Sequence, residues 1–196
     1  MNILNVGYTS TNYYILAEAK PLLLIDVGFA GTLAKLQHEL KRMDVKLGDI
    51  KHLLATHYHP DHAGLALELQ KMGMKLVVVD VQQAAIEAVQ GDPKLAKQYV
   101  GYDRKAAVTI SLEGSRTFLK GIGIKGEIIA TPGHSDDSVS LILDTGEVFN
   151  GDLPRPLPGA EGNMITVGES WEAIKAHGGK VSHPGHGPVY KIVDSQ

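Results

Sequence analysis

The segment ATHYHPDHAG, residues 55–64, puts His57, His59, Asp61 and His62 within six positions. The whole chain has nine histidines, so three of them falling in one short segment asks for a chemical reason. Crowded imidazoles repel one another when protonated and depress each other's pKa values. Neutral imidazoles that share a cation avoid that cost. His57 and His59 are two apart, so extended backbone sends both side chains to the same side. Two such nitrogens can hold a cation at about 2.0–2.1 Å, the usual Zn–N distance. Pro60 then ends regular pairing, and the turn it starts can aim Asp61 and His62 at a second position. The plainer alternative is a histidine-rich surface loop whose aspartate caps the following helix.

Further groups of ligand type recur at the ends of apolar runs. Asp26 closes LLLID, His57 closes IKHLLAT, His134 closes EIIATPG, Asp152 follows EVFNG and His186 follows KVSHPG. Strand ends are where a rigid sheet gathers distant residues around one point. Taken singly, His134 after Pro132-Gly133 is a turn residue and Asp152 in NGDLP is a turn aspartate. Taken with the first cluster, they supply nitrogen and oxygen ligands for two metals, and a carboxylate with two oxygens can bridge them. The chain has no cysteine, which excludes thiolate ligands and disulfides. Zinc suits an imidazole-rich set, and the same set admits manganese, iron or cobalt.

The elements that must carry these groups alternate. NYYILAE and PLLLIDVG read as strands. GTLAKLQHELKRM reads as an amphipathic helix with Leu33, Leu36, Leu40 and Met43 at three- and four-residue spacing. IKHLLATH is a strand, GLALELQKMG a helix stopped by Gly73, and MKLVVVD a buried strand. Residues 81–104 read as helix broken near Gly91 and Pro93. From about residue 106, AAVTISLEG, RTFLK, IGIKGEIIATPGH, DSVSLILDTG and EVFNGD read as successive short strands. A loop rich in proline and glycine (LPRPLPGAEGN), a helix (ESWEAIKAHGG) and a last strand (KVSHPGHG) end the chain. At 196 residues and 43% hydrophobic content, one domain over residues 1–196 with a full core is expected. Strands and helices in both halves predict sheets covered by helices.

With these motifs in order, the chain closely resembles the metallo-β-lactamase superfamily of metallohydrolases. The matching pieces are Asp26 after an early strand, THYHPDH, TPGHSDDS, NGD and HPGHGP, spanning residues 26–188. The resemblance implies an α/β fold, the αββα four-layer sandwich of the metallo-β-lactamase type, with the site along one edge of its two facing sheets. It further implies that His57, His59 and His134 hold one metal and that Asp61, His62 and His186 hold a second. Asp152 bridges both, and Asp61 doubles as the catalytic group that orients the nucleophile or moves its proton. Asp26 matches an early aspartate that supports such sites, and it is left outside the ligand set. His183, three residues before His186, competes as the last ligand; the family pattern and the flanking glycines favour His186. His38, His52 and His177 read as surface, core or helix-end residues.

The implied chemistry is that of two divalent ions, zinc first and manganese or iron as substitutes. A bridging water whose pKa they lower would attack a carbonyl or phosphoryl centre. A formal charge of −3, from 19 basic and 22 acidic residues without runs of either sign, argues against nucleic acid as a partner. No apolar run nears the roughly 20 residues that span a bilayer, and the N-terminus has no secretory pattern, so a cytoplasmic protein with no membrane partner is expected. The resemblance also separates this chain from relatives with a helical C-terminal extension, since only eight residues follow Pro188. The expected substrate is a small ester, thioester or lactone. The alternatives are a mononuclear iron oxygenase of the persulfide-dioxygenase type, held by His57, His134 and Asp152, and a phosphodiesterase of the same fold.

Overall fold

The computed structural model describes residues 1–91, 101–155 and 163–193. The first half forms a six-stranded sheet in sequential order: β1 (Asn2–Asn5), β2 (Tyr14–Ala17), β3 (Pro21–Ile25), β4 (His52–Leu54), β5 (Lys75–Val79) and β6 (Val108–Ile110). The first three strands pair antiparallel, as short turns allow. The strands from β3 to β6 pair parallel, which requires crossovers over the sheet. Helices α1 (Leu33–Arg42), α2 (Pro60–Ala63), α3 (Ala66–Lys71) and α4 (Gln83–Gly91) lie in those crossovers. A seven-residue helix, α5 (Ser115–Gly121), leads into the second sheet. There β7 (Gly126–Ala130), β8 (Val139–Leu143), β9 (Glu147–Phe149), β10 (Val181–His183) and β11 (Tyr190–Lys191) stand in the order β11-β10-β9-β8-β7. Helix α6 (Met164–Ala176) precedes β10.

The period-2 alternation of the strands decides the layering. Tyr14 and Leu16 of β2, Leu23 and Ile25 of β3, Leu54 of β4, and Val77 and Val79 of β5 point into one core. They meet Ile128, Leu141, Leu143 and Phe149 from the second sheet, so the two sheets pack face to face. The intervening residues Ile15, Leu24, Leu53, Leu76 and Val78 point the other way, against Leu36 and Leu40 of α1, Leu69 of α3 and Ile86 of α4. On the outer face of the second sheet, Ile142 and Val148 pack on Val167, Trp171 and Ile174 of α6. The result is the expected αββα sandwich. Each buried Leu, Ile or Val contributes roughly 1.5–3 kcal/mol relative to exposure. That packing is what fixes the strand ends in space.

Three local expectations change. RTFLK is part of α5 and not a strand: Ser115 and Leu119, four apart, are its buried face, and Leu119 joins the inter-sheet core. The chain gains β1 and β11 at the sheet edges. The last helix starts at Met164, capped by the Asn163 side chain, which accepts from the Ile165 and Thr166 amides. Trp171 therefore sits mid-helix, where it is buried. The expected break near Pro93 and positions 156–159 of the proline-rich loop fall outside the described residues. No described helix is long and apolar enough to cross a membrane.

Candidate metal centre

The seven residues arrive at one edge of the sandwich by short extensions from strand ends. Strands β9 and β10 run parallel with Phe149 opposite His183. Each chain then advances three residues, to Asp152 and to His186, and the Gly185 amide donates to the Gly151 carbonyl at 2.7 Å. His134 follows β7 through Pro132 and Gly133. The carbonyl of Pro132 accepts from Ser170 Oγ of α6 at 2.7 Å. His57 lies three residues beyond β4, where the Thr56 carbonyl accepts from the Val139 amide across the sheets at 2.9 Å. His59 is the N-cap of the one-turn helix α2, and Pro60, Asp61 and His62 are its first residues.

Two groupings of side chains result. The rings of His57, His59 and His134 stand 4.6, 4.8 and 4.8 Å apart, centroid to centroid, with planes crossed by 73–83°. His134 Nε2 comes within 2.9 Å of His59 Nδ1. Around a neighbouring point, His186 Nε2 is 3.3 Å from Asp61 Oδ2, and His62 Nε2 is 3.5 Å from the same oxygen. Asp152 lies between the groups. Its Oδ1 is 3.2 Å from His62 Nε2, and its Oδ2 is 3.4 Å from His186 Nε2, 3.6 Å from His134 Nε2 and 3.9 Å from His57 Nε2. Within each of the triads His57–His59–His134, His57–His62–Asp152 and Asp61–His62–His186, one ligand atom per residue falls within 4.8 Å of the others.

The outer nitrogens are fixed. His62 Nδ1 donates to Asp26 Oδ2 at 2.9 Å. His57 Nδ1 donates to Thr56 Oγ1 at 3.2 Å, and the Thr56 hydroxyl donates to the same Asp26 oxygen at 2.9 Å. The Thr56 amide donates to Asp26 Oδ1 at 2.7 Å. His186 Nδ1 donates to the Ser10 carbonyl at 2.7 Å. In all three histidines an Nδ1–H faces the outer partner and Nε2 faces inward, the arrangement that ligand histidines use. His57 Nε2, His62 Nε2 and Asp152 Oδ1 are buried without a hydrogen bond. Buried polar atoms are rarely left so. A set of inward-facing imidazole nitrogens and carboxylate oxygens fits a divalent cation.

The local charges sort the histidines. Burial, reinforced by His62, His59 and His134, drives His57 far below the usual imidazole value. Burial opposes charge on His62 too, but Asp26 and Asp152 outweigh it and push that pKa up to about 10. For Asp152 burial alone would raise the carboxyl, yet His62, His186 and His134 hold it below its ordinary value. One buried imidazole is thus neutral and its neighbour positive, beside an ionised carboxylate. A cation placed among them takes over the role of the His62 proton.

A cleft of about 500 Å³ opens beside His134, Asp152 and His186. Its walls include Leu153, Pro154, Pro188 and Tyr190. The Arg155 guanidinium lies 3.4 Å from the centroid of the Tyr190 ring. Trp171 Nε1 donates to the Pro154 carbonyl at 2.7 Å, tying this wall to α6.

The sequence model of the metallo-beta-lactamase superfamily matches residues 6–186. The chain belongs to that superfamily. Among its relatives is a protein of Methanocaldococcus jannaschii named as a probable metallo-hydrolase, 28% identical over 93% of this chain and 90% of its own length. Another is metallo-beta-lactamase domain-containing protein 1 of Xenopus laevis, 26% identical over 87% of this chain and 68% of its own. Among solved structures, a metallo-beta-lactamase family protein of Thermus thermophilus superposes with a TM-score of 0.74 at 20% identity, covering 97% of this chain and 74% of that one. This last likeness is one of fold.

Within the superfamily frame, the remaining histidines lie elsewhere. His183 stacks on Phe149 with ring centroids 4.9 Å apart and bonds to Glu147. His52 meets Phe118 edge-on, His38 is exposed on α1, and His177 ends α6 bonded to Glu127. Sequence reasoning gave Asp26 a supporting place through the resemblance and passed over the other groups that hold these loops, Asp137 and Gln82. Asp26, buried and at φ 60°, is a hydrogen-bonded support and not a turn residue. Asp137, within the quoted TPGHSDDS, accepts from the Tyr58 amide at 2.8 Å. Gln82 donates to the Ala55 carbonyl at 3.0 Å. Asp26 alone had a signal in the sequence, its place at a strand end.

Proposed function

We propose that this protein is a metal-dependent hydrolase with a two-metal centre that cleaves a small ester, thioester or lactone. His57, His59 and His134 hold one ion; Asp61, His62 and His186 hold the other; Asp152 bridges them. The observation that carries this reading is the contact of one carboxylate, Asp152, with histidines of both groups. Two divalent ions, zinc before manganese or iron, would supply Lewis acidity and a water nucleophile available near neutral pH.

The chain's own residues do the rest. Asp26 and Thr56 keep His57 and His62 in the ligand tautomer. Thr11 Oγ1 donates to Asp61 Oδ2 at 3.1 Å, which leaves Asp61 Oδ1 to hold the nucleophile's proton and pass it to the leaving group. The cleft suits a small molecule, in the range of roughly 300–1,000 Å³ where such ligands bind. Its walls beside Leu153 and Tyr190 accept an apolar acyl group, and Arg155 favours a neutral or weakly anionic substrate over a cationic one.

Elemental analysis of protein purified without added metal, together with a panel of aryl esters, acyl thioesters, lactones, β-lactams and bis-aryl phosphodiesters, tests the proposal. About two zinc or manganese ions per chain are expected, with hydrolysis of a carbonyl substrate that chelation abolishes and metal restores. About one iron per chain, with oxygen consumed on glutathione persulfide, would overturn it in favour of the oxygenase. Cleavage of the phosphodiester alone would replace the carbonyl substrate.

A further inference from the structure

The segment Ser10–Asn12, which leads into β2, touches the residues of the proposed second metal position. Its Thr11 hydroxyl donates to Asp61 Oδ2 at 3.1 Å. The Ser10 carbonyl accepts from His186 Nδ1 at 2.7 Å. The backbone of Thr11 pairs with that of His186 as an isolated antiparallel bridge. Asn12 grips the loop that carries His186. Its amide donates to the Gly185 carbonyl at 2.7 Å. Its side-chain nitrogen donates to the Pro184 carbonyl at 3.0 Å and the Gly187 carbonyl at 2.8 Å, on either side of His186.

The orientation of that side chain is determined by its neighbour. Asn5 Oδ1 accepts from the Gly7 amide at 2.8 Å, so the Asn5 nitrogen faces Asn12 and donates to its Oδ1 at 2.9 Å. Asn12 thereby has its oxygen toward Asn5 and both N–H bonds toward the two carbonyls. That uses both donors of the amide. An aspartate of the same shape would turn carboxylate oxygen against those carbonyls.

We propose that Thr11 and Asn12 are positioning residues for the second metal: Thr11 sets Asp61, and Asn12 sets the loop of His186. Through them the N-terminal segment controls occupancy of that position and leaves the first alone. This rests on the two-metal reading above. The inner ends of Asp61 and His186 are 3.3 Å apart and partly open to solvent, so neither is held by close packing as His57 and His62 are. Orientation must come from hydrogen bonds, and this strap supplies them.

The test is calorimetric titration of chelator-stripped protein with Zn²⁺, for the wild type, Thr11→Val and Asn12→Asp, with the fold of each checked by circular dichroism. Both substitutions keep side-chain shape. The second Kd is expected to rise about 10- to 100-fold, the usual effect of losing a group that orients a ligand, with the first unchanged. Cobalt loading adds a spectroscopic readout, since the absorption of the second ion added should change and that of the first should not. If both ions bind the variants as they bind the wild type, or if both affinities fall together, the proposal is wrong while the two-metal reading stands. If the wild type itself takes up a single zinc, the two-metal reading fails and the strap has no second ion to govern. Should Asn12→Asp fail to fold, Thr11→Val decides, because it removes a single hydroxyl.

Discussion

Asp26 Oδ2 lies 2.9 Å from His62 Nδ1 and 2.9 Å from Thr56 Oγ1, so one buried carboxylate oxygen fixes the tautomers of two inward-facing histidines. Asp26→Asn can accept both bonds at that atom only by setting its NH2 against the Thr56 backbone N–H, which now donates to Oδ1. Metal affinity should fall about 10- to 100-fold, as is usual when the partner of a ligand histidine is lost. Competition with a chromophoric chelator measures this. An unchanged affinity would show that His62 is oriented by packing alone.

The two central imidazoles also set how the chelator-stripped protein responds to pH. His62, raised to about 10 in the fold from an ordinary 6.5, adds stability that is fully present below pH 6.5 and is lost as pH climbs toward 10. His57 is held far below 6.5, so its contribution is present above that pH and is lost as pH falls beneath it. Stability without metal should therefore peak near neutrality and decline on both sides. Urea midpoints at pH 5, 7 and 9 in the presence of chelator test this, and His62→Gln should flatten the alkaline limb only. A midpoint that rises steadily to pH 9 would contradict the proton on His62.

Gly185 supplies a third prediction. A Cβ there would sit 2.5 Å from Asp152 Oδ1 and 2.6 Å from His62 Cε1. His62 cannot retreat, since it is fully buried and tied to Asp26, and the Gly151 backbone closes another side at 3.2 Å. Gly185→Ala should destabilise the fold by about 1–3 kcal/mol through overpacking and lower metal uptake with it. Gly48, with nothing within 4 Å of its would-be Cβ, is the control: Gly48→Ala should stay within about 0.5 kcal/mol of the wild type. Equal effects at the two positions would refute the crowding argument.

How far the sequence could be read follows from what each signal depends on. His57, His59, Asp61 and His62 were legible because their message is local, a run of ligand types at close spacing. The layering was legible because Leu23, Leu24 and Ile25 are apolar on both faces, which only a sheet covered on each side explains. RTFLK misled because seven residues hold too few turns to separate a helical period from a strand, and tertiary burial of Leu119 decided it. Asp26 before a glycine resembles any turn aspartate until the chain brings Thr56 and His62 to it from 30 and 36 residues away. Thr11 and Asn12 gave no signal at all, since their partners lie at Asp61 and beyond Pro184.

The last prediction separates two histidines that the sequence leaves three residues apart. His183, on β10, is largely buried, stacks on Phe149, meets Tyr14 edge-on at 5.4 Å and bonds to Glu147. His186 is 40% exposed at its side chain and turns Nε2 toward Asp61 and Asp152. The two should fail in opposite ways. His183→Ala removes a packed ring and strands Glu147, so stability should drop by about 2–3 kcal/mol, in the range of buried large-to-small changes. Metal content in the folded fraction should stay that of the wild type. His186→Ala removes an exposed side chain with one hydrogen bond, so stability of the chelator-stripped protein should change by no more than about 1 kcal/mol. Metal content, however, should fall by roughly one ion per chain, since the second position of the two-metal centre keeps only Asp61, His62 and a carboxylate shared with the first. Denaturant titration and elemental analysis on the same preparations give both readouts. Loss of metal from His183→Ala equal to that from His186→Ala would mean that the ring beside Phe149 turns inward, and the ligand choice between them would reverse.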